Sequence, residues 1–253
     1  MRCGSFDLIT ILSHTNRMSQ FKISDALHLD EADEAPDSPG IYVWYGKLAV
    51  GAADWDESLN ASNELAQSQL LKALRDHSIK YRQQSLQLDA CANFTTRWSG
   101  GLNAVLPDTW NSESNRIWAA QSESDVARLT SFNKGRKDLL SLLDTAFPIF
   151  SSPLYIGLAI DQTLRGRLRQ HRTQFRRHWD KASKDPEYPS RIINPAKFAD
   201  RAIKVGYSPA DLHFFTLHVE EDHAAGSGSR NEDLLRSAEW LLNRWANPIL
   251  GRQ

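Results

Sequence analysis

Ser152-Pro153-Leu154-Tyr155-Ile156-Gly157-Leu158 is the stretch on which the fold turns. In an extended segment side chains alternate, so Leu154, Ile156 and Leu158 share one face and Tyr155 and Gly157 share the other. The apolar set belongs to a core. Tyr155 faces the opposite side, beside a glycine that leaves room for a close neighbour. The same spacing also fits a tyrosine packed half-exposed on a sheet. Far upstream, Gly40-Ile41-Tyr42-Val43-Trp44-Tyr45 repeats the alternation, with Ile41, Val43 and Tyr45 set against Tyr42 and Trp44. Gly46-Lys47 reads as a two-residue turn, so the pattern predicts a hairpin over residues 40–50.

Residues 162–178 read as a helix. At 100° per residue, Leu164, Leu168, His171 and Phe175 fall on one side. Arg167 flanks that side, one turn before His171. Arg165, Arg169, Arg172 and Arg176 form a separate stripe. Guanidinium groups pair with phosphate oxygens two at a time, so the stripe is of a type that tracks a nucleic-acid backbone; a solvated basic face has the same pattern. Arg167, held at the edge of the core, suits the charge that develops on a phosphate under attack.

A last helix is predicted over 231–246, with Leu235, Glu239 and Leu242 on one face. A carboxylate in an apolar stripe is costly unless it is paired or binds a cation. Two readings follow for Glu239: a salt bridge, or a metal ligand. One carboxylate with waters and substrate oxygens is a normal way to hold Mg²⁺.

In this order the residues resemble the GIY-YIG family of DNA-cutting nucleases. That family has two tyrosine-bearing strands, an arginine on the next helix, often a His or Tyr one turn later, and a glutamate on a later helix before a proline. Tyr155, Arg167, His171 and Glu239 (nine positions before Pro248) look like the last four. Tyr42 looks like the first tyrosine if the hairpin is split; in a tandem copy that position falls near Phe150, which has no hydroxyl. Three departures stand out: extra residues at Gln162-Thr163, Leu158 where many members have lysine, and Gly251 where many have asparagine. The resemblance implies a small α+β fold, a mixed sheet flanked by helices. It also implies one-metal phosphodiester hydrolysis with Mg²⁺ or Mn²⁺ on Glu239. Arg167 would bind the scissile phosphate. Tyr42, or Tyr155 with His171, would orient or deprotonate the attacking water. The products would carry 5′-phosphate and 3′-hydroxyl ends. A phenol titrates near 10, so a tyrosine base needs nearby positive charge.

Three segments are expected. Residues 1–38 read as an N-terminal lead ending in an acidic linker, with Asp30, Glu31, Asp33, Glu34 and Asp37. Residues 39–147 are either a degenerate copy of the fold or a helical insertion in its first hairpin. Residues 148–253 are the catalytic domain. Faint echoes favour a copy: Leu70, Leu74, Arg75 and His77 have the spacing of Leu164, Leu168, Arg169 and His171. Further expectations are helices over 60–84 and 134–146, strands over 90–98 and 212–220, loop over 99–115, an extended run from 148 to 158, an irregular connection with one short helix over 183–211, and a flexible loop over 226–229.

The chain has 253 residues, and a formal net charge of -1 excludes a general polycation, so any nucleic-acid surface is a local patch. Two cysteines, Cys3 and Cys91, make neither a disulfide framework nor a metal cage, which fits a cytoplasmic protein. No apolar run is of membrane-spanning length and no secretory signal is evident, so no membrane partner is expected. The expected function is a metal-dependent DNA endonuclease of a restriction, defence, mobile-element or repair kind, a homodimer if it cuts both strands. Nothing in the sequence separates DNA from RNA as the partner. The alternative is a non-catalytic nucleic-acid-binding module derived from such a nuclease.

Overall fold

A computed structural model describes residues 21–48, 50–81, 85–89, 101–105, 125–192, 195–219 and 228–251. The chain is α+β. Its elements run β1 (Phe21–Ile23), β2 (Leu27–His28), β3 (Gly40–Gly46), α1 (Asn63–Tyr81), β4 (Ser85–Asp89), β5 (Gly101–Val105), α2 (Asn133–Phe150), β6 (Tyr155–Ala159), α3 (Leu164–Lys184), α4 (Phe198–Val205), β7 (Leu212–Val219) and α5 (Gly228–Ala246).

The main sheet is antiparallel, in the order β1-β7-β3-β6, with β2 also on β7. β3 lies inside it. Its register against β6 sets Trp44 opposite Tyr155, Tyr42 opposite Gly157 and Gly40 opposite Ala159. Its other edge pairs with β7 from Gly40↔His218 to Gly46↔Leu212. With both edges taken, β3 has no place for a local hairpin partner. Lys47 instead donates its backbone N–H to Asp211 O at 2.6 Å, and the chain leaves the sheet. The expected hairpin over 40–50 is therefore replaced by a long-range pairing. Gly40–Tyr42 and Tyr155–Gly157 share one sheet, with residues 47–154 inserted between them. β4 and β5 pair with each other in a separate two-stranded sheet.

Alternation on β3 feeds two cores. Tyr42 and Trp44 face α3 and α4, where Leu164, Leu168, Phe175, Phe198, Ala202 and Ile203 are buried. Trp44 stacks on Phe198 with ring centroids 5.3 Å apart. Ile41 and Ile156 face the other way and bury Leu235 of α5, with Ala238 and Leu242 beside it. α3 and α5 thus pack on opposite faces of the sheet.

The acidic N-terminal segment is not a linker. β1 and β2 pair with β7, and Leu29, Ala32 and Ala35 are buried in the α3-side core. The backbone carbonyls of Pro36 and Ser38 accept from the N–H groups of Arg165 (3.1 Å) and Leu164 (2.9 Å), and the Thr163 hydroxyl accepts from Gly166 N at 3.2 Å. These satisfy donors that the first turn of a helix leaves open. The segment is part of what starts α3.

Elsewhere the helices are longer than the pattern suggested. α2 runs on to Phe150, so the run from 148 to 158 is extended only from Tyr155. Pro148 lies within the last turn of α2, where its missing N–H takes one bond from the helix two residues before the end. α5 begins at Gly228, inside the expected loop over 226–229. Residues 101–105 form a strand where loop was expected, and the strand expected over 90–98 lies outside the described residues, as do Cys3 and Cys91. The insertion is built around Arg136, which is 0% exposed and donates to Trp55 O and Thr130 O at 2.7 Å each. After α5 the chain turns at Asn247, and Ile249 and Leu250 donate to Pro153 O (3.1 Å) and Leu154 O (2.7 Å). Among the described residues no helix is long and apolar enough to cross a membrane.

Candidate functional site

The register across β3 and β6 builds the site. A Cβ on Gly157 would lie 2.4 Å from both Cζ and the hydroxyl of Tyr42. The space beside Tyr155 is therefore filled by the Tyr42 ring, and only glycine admits it. The two phenol rings are 6.2 Å apart, centroid to centroid. From α3, spaced one turn apart, come Arg167 and His171. His171 Nε2 is 2.9 Å from the Tyr42 hydroxyl, and Arg167 Nε donates to the same hydroxyl at 3.3 Å. Four of the residues singled out in the sequence, Tyr42, Tyr155, Arg167 and His171, are thereby brought together.

Their protonation states follow from burial. Tyr42 is 0% exposed. Burial pushes its phenol well above the usual range, the neighbouring Tyr155 adds to that, and Arg167 only partly offsets it. His171 is also buried. Desolvation first, then the charges of Arg167 and Arg201, hold its pKa down at about 3, so it is neutral at pH 7. Its Nδ1 has no hydrogen-bond partner among the described residues. Burial works against the Arg167 charge, but the Tyr42 hydroxyl more than compensates.

A hollow of about 220 Å³ opens beside this cluster. Tyr155, Arg167 and His171 line one side. Lys197, Phe198 and Arg201 line the other, from the start and middle of α4. Arg201 Nη1 donates to Ala196 O at 3.1 Å, and its guanidinium carbon lies 5.6 Å from the Tyr155 ring centroid, within cation–π range. Among the described residues three cations and no carboxylate line the hollow, so it suits an anion. The sequence reading missed Lys197 and Arg201, because they fall in the span read as irregular. Their signal was an i, i+4 basic pair bordering Phe198, Ala202 and Ile203. A larger groove of about 690 Å³, in the insertion between Trp55, Leu74, Leu140 and Phe147, is more apolar, and its lysines Lys47 and Lys137 share it with Asp144, which pairs with Lys47.

The arginine stripe is neither open nor simply solvated. Arg165 reaches Ala35 O at 3.0 Å and Asp37 at 3.5 Å. Arg169 and Arg172 share Asp33, the second at 2.8 Å, and Arg176 holds Asp30 at 2.6 Å. Hydrogen bonds from Arg172 and Arg169 pull the Asp33 carboxyl down to about 2. The guanidinium groups expected to track phosphate are committed to the acidic segment.

Glu239 is half-buried on α5, with Oε1 2.7 Å from Asn243 Nδ2. It is not among the residues that line the hollow, and its helix lies on the sheet face opposite α3. Among the described residues no group of three or more His, Cys, Asp or Glu side chains could hold a metal. One carboxylate with an amide beside it is a donor set that takes Mg²⁺ together with water and substrate oxygens. Comparison with protein-family models, curated proteins and solved structures found no match.

Proposed function

We propose that this chain is a metal-dependent endonuclease that hydrolyses phosphodiester bonds in DNA in the manner of the GIY-YIG family. The supporting observation is the Tyr42 hydroxyl, which contacts Arg167 and His171 at once, on a strand paired with the one that carries Tyr155. Arg167, half-buried and fixed by that hydroxyl, binds the scissile phosphate and meets the charge that grows on it. Tyr155 faces the hollow, and its phenol orients the attacking water. Tyr42 is sealed from solvent and keeps its proton, so its part is positioning: it holds Arg167 and His171 in place. This assignment prefers Tyr155 to Tyr42 as the residue next to water. Neutral His171 accepts or relays a hydrogen bond and carries no charge of its own. Glu239 is the carboxylate that the family resemblance offers for Mg²⁺ or Mn²⁺; it stands outside the hollow, on the sheet face opposite α3, so no step at the phosphate is routed through it. The products are 5′-phosphate and 3′-hydroxyl ends, and cutting both strands calls for two copies of the chain.

The test is supercoiled plasmid with Mg²⁺. Wild type nicks it. Arg167→Ala loses roughly a hundredfold or more in rate, as loss of a transition-state contact does, and Glu239→Gln tests whether the family's metal carboxylate acts in this chain. A folded wild type that cuts neither DNA nor RNA with Mg²⁺ or Mn²⁺ rules the reading out.

One observation favours a second reading, a nucleic-acid-binding module without catalysis: among the described residues the hollow holds three cations and no carboxylate. It predicts binding without cleavage, unchanged in Glu239→Gln.

A further inference from the structure

We infer that Lys197 and Arg201 of α4 form the second jaw of a phosphate clamp, closing on the same backbone phosphate that Arg167 holds from α3. The inference rests on the proposed nucleic-acid substrate but not on cleavage.

Three observations carry it. The hollow lies between two helices, and each contributes cations: Arg167 from one side, Lys197 and Arg201 from the other. A phosphate between them would be gripped on opposite faces, as a single arginine cannot do. Second, Arg201 is held in place before any ligand arrives. Its Nη1 donates to Ala196 O at 3.1 Å, and its guanidinium lies over the Tyr155 ring. A planar fork fixed this way loses little freedom on binding. Third, the nearest acid on α4 is engaged elsewhere. Asp200 has one carboxylate oxygen 3.3 Å from His178 Nε2, and the other accepts from the Lys197 backbone N–H at 3.3 Å. Arg167 and Arg201 both bear on His171, which stays neutral between them. Like charges gathered around a half-enclosed space repel unless an anion joins them.

Arg165, Arg169, Arg172 and Arg176 are covered by Asp30, Asp33 and Asp37, whereas the described residues that line the hollow are cationic, aromatic or neutral. The cationic surface that meets a backbone phosphate is the hollow, on the α4 side of α3.

The experiment is binding of the full chain to a labelled DNA duplex in EDTA, over a range of salt, so that cleavage and metal play no part. Wild type binds. Arg201→Ala and Lys197→Ala each weaken binding about tenfold and lower the slope of log K against log salt by about one. Arg201→Met, which keeps the stem over Tyr155, weakens binding as Arg201→Ala does and controls for lost packing. Arg201→Lys restores part of the affinity. Arg176→Ala changes affinity less than twofold. Thermal melts confirm that each variant is folded. If both α4 alanine variants bind with wild-type affinity and slope, the clamp is wrong. If wild type cuts plasmid and those variants cut it with unchanged KM, the clamp fails while the nuclease reading stands. If wild type binds through Arg201 and never cuts, the clamp stands and the nuclease reading fails.

Discussion

At the scale of residues, the site is organised around a phenol that water does not reach. Tyr42 and Tyr155 are both tyrosines on paired strands, yet the first is sealed and the second lines the hollow. Their phenylalanine variants should therefore separate. Tyr155→Phe loses plasmid cleavage at least tenfold and keeps its melting temperature. Tyr42→Phe leaves His171 Nε2 buried without its partner and loses about 1–2 kcal/mol of stability. Urea titrations and nicking rates read the two effects. If Tyr42→Phe is as stable as wild type, its hydroxyl is not a positioning group. His171 supplies a second prediction. Its folded pKa of about 3 lies below the unfolded value of 6.5. Between those values the unfolded chain binds the extra proton, so stability rises with pH there. The contribution is complete above about 6.5 and is lost as pH falls toward 3. Stability should thus fall more in wild type than in His171→Gln, by about 0.7 kcal/mol from pH 7 to 6 and about 1.2 kcal/mol from pH 6 to 5. Parallel profiles would mean that His171 is not held neutral. Arg167 and His171 were legible in the sequence because a helix repeats at 100°. The pairing of Tyr42 with Gly157 was not, since register depends on which strands meet.

At the scale of elements, α3 shows why composition misleads. The stretch over 29–38 is acidic and carries Pro36, which is how linkers look. Its other signal, Leu29, Ala32 and Ala35 three residues apart, was weak by size but marks one buried face. The acids beside that face then met the arginine stripe. Both features were readable separately; that each is the partner of the other is a tertiary fact. The acids of these pairs are exposed, so the pairs hold the segment with little energy. Their larger effect is on charge. Asp30→Asn with Asp33→Asn frees Arg169, Arg172 and Arg176, so the double variant should melt within a few degrees of wild type while binding duplex DNA more tightly. The slope of affinity against salt should steepen by about one to three phosphate contacts. A variant that binds no more tightly would mean that the stripe stays out of reach of a duplex even when its acids are gone. α4 is the complementary case: it is short and set among prolines, and those breakers hid the basic pair that it carries.

At the scale of the whole molecule, the question that the sequence left open was a second copy against a split hairpin. The echoes between residues 70–77 and 164–171 suggested a copy, but helices that bury one face repeat such spacings by necessity. What decides is β3, whose two edges are taken by β6 and β7. No local sign in the sequence could show that, because the partner strand begins beyond a long insertion. The split is cheap in free energy. Loop-closure cost rises only with the logarithm of length, so replacing a loop of about a hundred residues by four recovers about 3 kcal/mol. Against that stand, among the described residues, Phe147 edge-on to Tyr45 at 5.9 Å and to His213 at 6.1 Å, and Lys80 on Asp211 at 3.2 Å and over the Tyr207 ring at 5.4 Å. Together these contribute about 3 kcal/mol, much what the shorter loop recovers. Excision of residues 47–152, with Asn-Gly set between Gly46 and Pro153, should therefore leave a protein that unfolds cooperatively near the wild-type temperature. Tyr42 still meets Arg167 and His171 there, because among the described residues the hydrogen bonds and ring contacts of the three lie on β3, β6, α3 and α4, all outside the insertion. The shortened chain keeps its hollow and its metal-free affinity for DNA, and any preference for particular sequences, which needs surface beyond the hollow, goes with the insertion. Circular dichroism melts and binding to mixed-sequence duplexes measure both. Loss of the cooperative transition would show that the insertion is part of the folding unit, and that the sheet alone does not hold the two tyrosine strands together.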